Sequence, residues 1–183
     1  MRIDVLGVGF DNITMEQAVA EGLRLSKTEG AHMVVTPNPE IVELCREDPA
    51  LRDLVNGADL VLADGIGILY GAKLLGTPLR QRLPGIEFAQ ALMAALAENG
   101  GKLFLLGAKP GVAEEAARRL CAAYPGLQIV GTHDGYFTDD GPIIEKINAS
   151  SPDFLMVCLG SPKQERWMSA NAGRLSCGLM AGL

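Results

Sequence analysis

The sequence is poor in the residues on which most metal and redox chemistry depends. It has two histidines, His32 and His133, and four cysteines, Cys45, Cys121, Cys158 and Cys177. Two histidines are too few for a His-rich metal site. The cysteines lie far apart with no C-x-x-C pair, and each falls in an apolar stretch, so all four are expected to be buried, reduced and inert. No apolar run approaches the roughly 18–20 residues that span a bilayer. Asp4 interrupts the apolar region that a secretory leader would need. That argues for a cytoplasmic protein whose dealings with a membrane are peripheral. Basic charge is not in excess: 16 Lys and Arg stand against 22 Asp and Glu, a net charge of −6. This balance argues against non-specific nucleic-acid binding, although it leaves room for a local basic pocket that takes phosphate.

Several catalytic signatures are also missing. Gly7-Val8-Gly9 follows a first apolar run, but Asn12 stands where G-x-G-x-x-G requires its third glycine. No acidic residue closes the next candidate strand to hold a ribose, so a dinucleotide-dependent oxidoreductase is a poor reading. There is no H-E-x-x-H, no G-x-S-x-G and no D-x-D.

What is present is the material of an ordinary soluble globule. Hydrophobic residues make up 48% and charged residues 21% of the 183 positions. That mixture excludes a disordered chain, a collagen and a long polar coiled coil. The length suits one domain, and a chain of this size buries roughly 70% of its extended surface without a disulfide or metal staple.

Short apolar runs alternate with helical patterns throughout. The candidate strands are Ile3–Leu6, His32–Val35, Leu60–Ala63, Lys102–Leu106, Gln128–Gly131 and Phe154–Leu159. Several are apolar at nearly every position, as strands covered on both faces are. Cys177–Leu183 reads as one more core strand. Thr14 with Gln17 forms a capping box ahead of Met15, Ala18, Val19 and Leu23 at helical spacing. Glu87–Glu98 and Val112–Tyr124 are Ala/Leu-rich helices, the second closed by Pro125-Gly126. Strand–helix alternation at this spacing predicts an α/β fold, Rossmann-like, with a mostly parallel sheet and helices on both faces. The basic stretch Leu79–Gly85 is the one long irregular segment, either a mobile active-site loop or a connection.

In such a sheet ligands gather at the carboxyl ends of the strands, where helix N-termini favour anions. Thr36 and Asn38 close the second strand; Asn38 also suits a helix cap with Pro39 behind it. Asp64 emerges at the end of a buried strand, where its carboxylate either takes a proton from a hydroxyl or caps a helix. Gly107 and Lys109 open a helix, and Lys109 suits a phosphate. Tyr136 follows an Asp134-Gly135 turn and suits stacking on a base or sugar. Ser161 and Gln164 read as a capping box with Pro162 between them. That does not account for Lys163 at the positive end of a helix dipole, a position that a bound anion would stabilise.

Read together, Thr36-Pro37-Asn38-Pro39-Glu40, Ala63-Asp64-Gly65-Ile66-Gly67, Arg82-Leu83-Pro84-Gly85, Leu106-Gly107-Ala108, Asp134-Gly135-Tyr136-Phe137 and Gly160-Ser161-Pro162-Lys163-Gln164-Glu165 resemble, in this order, the WecG/TagA/CpsF family of bacterial glycosyltransferases. The resemblance runs over essentially the whole chain. It implies an inverting enzyme that moves N-acetylmannosamine, or a related hexose, from a UDP-sugar to the 4-hydroxyl of GlcNAc on undecaprenyl diphosphate, as in teichoic acid synthesis. It also implies residence at the inner face of the plasma membrane. Transfer of N-acetylmannosaminuronic acid is the alternative within the family; a non-catalytic nucleotide-sugar module is the alternative outside it. Asp64 would be the general base and Arg82 the diphosphate clamp. Thr36, Asn38, Gly107, Lys109, Tyr136, Lys163 and Gln164 would bind substrates. With no D-x-D, the resemblance implies no metal and no cofactor; cationic side chains and helix N-termini would hold the diphosphate. Family members continue past the position of Leu183 with a Gly-rich stretch and a basic helical tail that reaches the membrane. The expectation for residues 1–183 is therefore a single core domain without that tail, whose bare apolar surface favours homo-oligomers.

Overall fold

Alternate residues of the main strands face opposite cores, which is why the strands are apolar at almost every position. The computed structural model describes residues 1–183. Six strands form one all-parallel sheet: β3 (His32–Val35), β4 (Leu60–Val61), β5 (Lys102–Gly107), β6 (Gln128–His133), β7 (Phe154–Cys158) and β8 (Leu179–Gly182). Their spatial order is β4-β3-β8-β7-β5-β6. Met33, Val35, Phe104, Leu106, Leu155, Val157 and Met180 point into one core. Val34, Leu103, Leu105, Phe154, Leu179 and Ala181 point into the other. The first core is covered by α2 (Pro39–Glu47), α3 (Pro49–Asn56), α4 (Ile66–Leu74), α7 (Gly141–Ser150) and α8 (Lys163–Asn171). The second is covered by α1 (Met15–Ser26), α5 (Gly85–Ala97) and α6 (Val112–Ala123). The expected α/β, Rossmann-like architecture with helices on both faces is the one observed.

The helix starts follow local chemistry. Thr14 and Gln17 close a reciprocal capping box on α1, with Gln17 N–H on Thr14 Oγ1 at 3.3 Å and Thr14 N–H on Gln17 Oε1 at 3.0 Å. Asn38 caps α2 through Ile41 N–H at 3.0 Å, with Pro39 at its first position.

Three expectations need correction. Ile3–Leu6 is not a strand of the parallel sheet. Residues 2–5 (β1) and 8–11 (β2) form a separate antiparallel hairpin. Leu6 and Gly7 turn it with φ of 56° and 91°, as the tight turn of a right-twisted hairpin demands. Gly7-Val8-Gly9 therefore lies off the main sheet and opens no helix, which removes the last ground for a dinucleotide fingerprint. Second, Cys121 is exposed on α6, whereas Cys45 and Cys177 are buried and Cys158 is half-buried. Third, Ser161 does not cap α8: that helix begins at Lys163, with Pro162 at its cap and no side-chain cap bond. Gln164 Oε1 instead accepts the N–H of Gly160 at 3.1 Å.

The chain order reverses around β5. From β5 the chain runs outward to β6, then returns across to β7 on the other side. Such a reversal opens a crevice beyond the carboxyl ends of the two flanking strands.

Candidate active site

Because all six strands are parallel, their carboxyl ends share one edge. Along it stand, in order, Asp64 after β4, Thr36 after β3, Leu183 after β8, Gly160 after β7, Ala108 after β5 and Asp134 after β6. The edge divides into two regions.

The first is a cavity of about 660 Å³ at the β5/β7 reversal, and its walls include Ala108, Lys109, Tyr136, Phe137, Cys158 and Lys163. Ala108 N–H donates to the Cys158 carbonyl at 3.0 Å, and Gly135 N–H donates to the Ala108 carbonyl at 2.9 Å. These bonds lace three strand exits together. Tyr136 is exposed, and its backbone is fixed by Asp134 Oδ1 at 2.8 Å. The Lys163 ammonium sits 5.5 Å from the centre of the Phe137 ring and 3.5 Å from the Gly135 carbonyl. The ring face thus offsets part of the cost of a cation at a helix N-terminus. Burial pushes the Cys158 thiol up, so at neutral pH it is protonated and a poor nucleophile. Three of the expected binding residues, Lys109, Tyr136 and Lys163, meet in this cavity.

Gly107 does not line that cavity. It has φ of 127°, and a Cβ there would overlap the Cys158 backbone. Glycine is required at this position by the close approach of β5 and β7, so a direct ligand contact is not what demands it.

The second region surrounds Asp64. Leu62 and Ala63 are buried and deliver Asp64 to the edge half-buried. Its Oδ2 accepts the N–H of Gly85 at 3.2 Å; Oδ1 has no hydrogen-bond partner in the chain. It does not cap α4, whose cap is Gly65 at φ of 96°. The helix-cap role considered for Asp64 therefore falls away. Leu83 N–H donates to the Ala63 carbonyl at 2.8 Å, so the Arg82–Gly85 segment runs alongside the β4 exit. Farther back, Arg80 N–H reaches Asn12 Oδ1 at 2.9 Å, and Gln81 Oε1 accepts Met15 N–H at 3.1 Å. Leu79–Gly85 is thus tied down along its length by these hydrogen bonds.

Arg82 is exposed and pairs with Glu87 in the first turn of α5 at 3.1 Å. Thr36 Oγ1 donates to the Gly182 carbonyl at 3.3 Å, and a Cβ at 85 would come within 2.9 Å of that hydroxyl. Thr36, Asp64 and Gly85 therefore form one cluster. Asn38 spends its carbonyl oxygen on the α2 cap, which leaves its amide N–H groups for other partners. Neither Asp64, Arg82, Thr36, Asn38 nor Gln164 lines the cavity at β5/β7; the first four occupy the same edge nearer β4 and β3, and Gln164 lies behind the β7 exit, against Gly160 and Gly182.

Gln164 is buried and occupied internally. Its Oε1 takes Gly160 N–H, and its Nε2 donates to Glu165 Oε1 at 3.3 Å. Two features escaped the sequence reading. Phe137 carries the Lys163 ammonium and packs edge-on against Trp167 at 6.4 Å. Glu165 is 2% exposed, and its Oε2 has no partner. Both fall inside motifs already singled out, but nothing local distinguishes a ring that supports a cation from an ordinary anchor, or a buried glutamate from a solvated one on a helix.

Residues 3–183 match the model of the glycosyl transferase WecG/TagA/CpsF family. N-acetylglucosaminyldiphosphoundecaprenol N-acetyl-beta-D-mannosaminyltransferases from Staphylococcus aureus strains NCTC 8325 / PS 47, COL and MRSA252 are each 33% identical over 184 aligned positions. The alignment covers 100% of this chain and 72% of each relative. With a match that takes in every strand end just described, the chain belongs to the WecG/TagA/CpsF family of glycosyltransferases.

Proposed function

We propose that this chain transfers N-acetylmannosamine, or a closely related hexose, from a UDP-sugar to the 4-hydroxyl of GlcNAc on undecaprenyl diphosphate, with inversion at the anomeric carbon. The acceptor and the sugar are those in the names of its relatives. The observation that carries the reading is the half-buried Asp64 carboxylate, held by one oxygen to Gly85 N–H with the other oxygen free.

The free oxygen takes the proton of the acceptor hydroxyl as that hydroxyl attacks the anomeric carbon opposite the UDP. General-base help of this kind is worth about 10²–10⁴-fold. As the glycosidic bond breaks, negative charge grows on the leaving diphosphate. Arg82, with its planar fork of donors, holds that charge, and Lys109 and Lys163 hold the nucleotide end in the β5/β7 cavity. Tyr136 gives the base or sugar a stacking face. Thr36 and Asn38 orient the sugars by hydrogen bonds, and Gln164 acts from below by fixing the Gly160 turn. Cations and helix N-termini carry the diphosphate charge without a metal. The enzyme works at the cytoplasmic face of the membrane, where its lipid-linked acceptor lies; no helix is long and apolar enough to cross a membrane.

The test is UDP release from UDP-N-acetylmannosamine with a short-chain polyprenyl-diphosphate GlcNAc acceptor, with the product's anomeric configuration read by NMR. Acceptor-dependent UDP release with inversion, unaffected by chelator, supports the reading. Retention of configuration, or a strict metal requirement, contradicts it.

A further inference from the structure

One row of side chains on α8 serves a single loop. Lys163, Trp167 and Asn171 stand at i, i+4 and i+8, so they share one face of the helix. All three reach the segment 134–140, which joins β6 to α7. The Lys163 ammonium lies 3.5 Å from the Gly135 carbonyl and 5.5 Å from the centre of the Phe137 ring. Trp167 meets the same ring edge-on at 6.4 Å and donates its Nε1–H to Asp140 Oδ1 at 3.1 Å. Asn171 Nδ2 donates to Asp140 Oδ2 at 3.2 Å. Trp167 and Asn171 are both buried.

Asp140 forgoes a local bond for this. It stands at the cap position of α7, where an aspartate normally accepts a first-turn N–H, a bond worth about 1 kcal/mol. Its side chain makes no cap bond. Both carboxylate oxygens go to α8, and Asp139 Oδ1 accepts the Gly141 N–H at 2.9 Å. A residue that departs from its local preference with every oxygen satisfied elsewhere marks a tertiary role. The segment it secures is a wall of the β5/β7 cavity, which Gly135, Tyr136, Phe137 and Thr138 line. That segment has no ladder of its own, so its shape comes from these tethers and from the Gly135 N–H on the Ala108 carbonyl. A ring face and a carbonyl also steady the Lys163 ammonium without neutralising it, so its charge stays available to an anion in the cavity.

We infer that Phe137, Trp167 and Asp140 are positioning residues for the nucleotide: tied to one face of α8, they set the Lys163 ammonium and the Tyr136 loop against a nucleoside diphosphate in the β5/β7 cavity. The inference rests on the proposed nucleotide reading of that cavity. A binding group keeps its geometry when the side chains behind it are locked by packing and hydrogen bonds. Here the lock runs from Asp140 through the Trp167 indole to the Phe137 ring, and the ring meets the cation.

A double-mutant cycle on UDP affinity, measured by calorimetry on the full chain, tests this. Phe137→Leu keeps an apolar filler against Trp167 but removes the ring face. It should weaken UDP binding about two- to fivefold, the scale of an exposed cation–π contact. Combined with Lys163→Met, it should cost no more than Lys163→Met alone, because the ring acts through the ammonium. Asp140→Ala should weaken UDP binding severalfold, and Asp140→Asn, which keeps an oxygen for the Trp167 N–H, should restore most of it. Trp167 is the sole tryptophan, so its emission reads the lock directly. UDP should change that emission saturably, with the midpoint found by calorimetry, and should change it less in Phe137→Leu. UDP affinity that stays at the wild-type value in Phe137→Leu and Asp140→Ala, or losses that simply add in the cycle, would overturn the inference while leaving the nucleotide site in place. Were Asp140→Ala to lose stability throughout the fold, the Phe137→Leu cycle decides alone. A wild-type chain that binds no UDP would bring down the nucleotide reading of the cavity and this inference with it.

Discussion

The Asp64 carboxylate and the Gly85 backbone meet at 3.2 Å, although a helix and a connection set them 21 positions apart in sequence. The bond orients one oxygen and leaves the other free. It also ties the Arg82 segment to the end of β4, so the proposed base and the Arg82 backbone share one frame. A substitution at either residue therefore reads out on the same frame.

Arg82 makes one exposed ion pair, with Glu87. Such pairs contribute about 0–1 kcal/mol. Arg82→Ala should therefore leave the melting temperature almost unchanged, yet lower turnover at least tenfold because the leaving diphosphate loses its clamp. Arg82→Lys should not restore the rate, since an ammonium lacks the planar fork. Steady-state kinetics with thermal melts decides this; wild-type turnover in Arg82→Ala reduces the segment to a connection.

Lys109, Lys163 and Tyr136 wall the cavity at β5/β7. Lys163→Ala and Lys109→Ala should raise the KM for the UDP-sugar severalfold and weaken UDP binding in calorimetry, with a smaller salt dependence than wild type. Tyr136→Ala should weaken UDP binding without altering salt dependence. Unchanged UDP affinity in all three variants would place the nucleotide elsewhere along the edge.

Gly107 combines φ of 127° with a backbone neighbour, Cys158, where a Cβ would go. Gly107→Ala should destabilise the fold by about 1–3 kcal/mol, the usual cost of overpacking. Urea unfolding measures it, and loss of UDP binding without loss of stability would instead make Gly107 a ligand contact.

Burial pushes the Cys45 thiol up to about 11 and the Cys177 thiol up to about 12. Near pH 8 a thiol reagent should therefore modify the exposed Cys121 quickly and the buried pair only after unfolding. The stability linked to the buried thiols is fully present below pH 9, where both folded and unfolded thiols are protonated. It is lost as pH rises through the folded values, so the unfolding midpoint should fall between about pH 9 and pH 12. Replacing Cys45 and Cys177 by Ala should flatten that decline.

Much of this fold is legible in the sequence because strands covered on both faces carry their own label. The strand His32–Val35 has the bounds read from the sequence, with Met33–Val35 as its apolar run, and Asn38-Pro39 announces α2. The hairpin is not legible in the same way. Gly7-Val8-Gly9 after an apolar run looks like the opening of a glycine-rich loop, and only the positive φ of Leu6 and Gly7 reveals a turn. Asp64 can be singled out as a strand-end carboxylate, but its partner Gly85 cannot, because that contact is tertiary. The Ser161 cap fails for a related reason: Gln164 finds the Gly160 N–H and the buried Glu165 carboxylate, a local competition that spacing does not decide.

The central claim rests on the free oxygen of Asp64, and Asp64→Asn tests it most directly. Asparagine keeps the shape and can still accept the Gly85 N–H, so the fold and UDP binding should persist. Turnover with a short-chain acceptor should fall by at least about 10²-fold, the scale of general-base help. An Asp64→Asn enzyme that turns over at the wild-type rate would contradict the account.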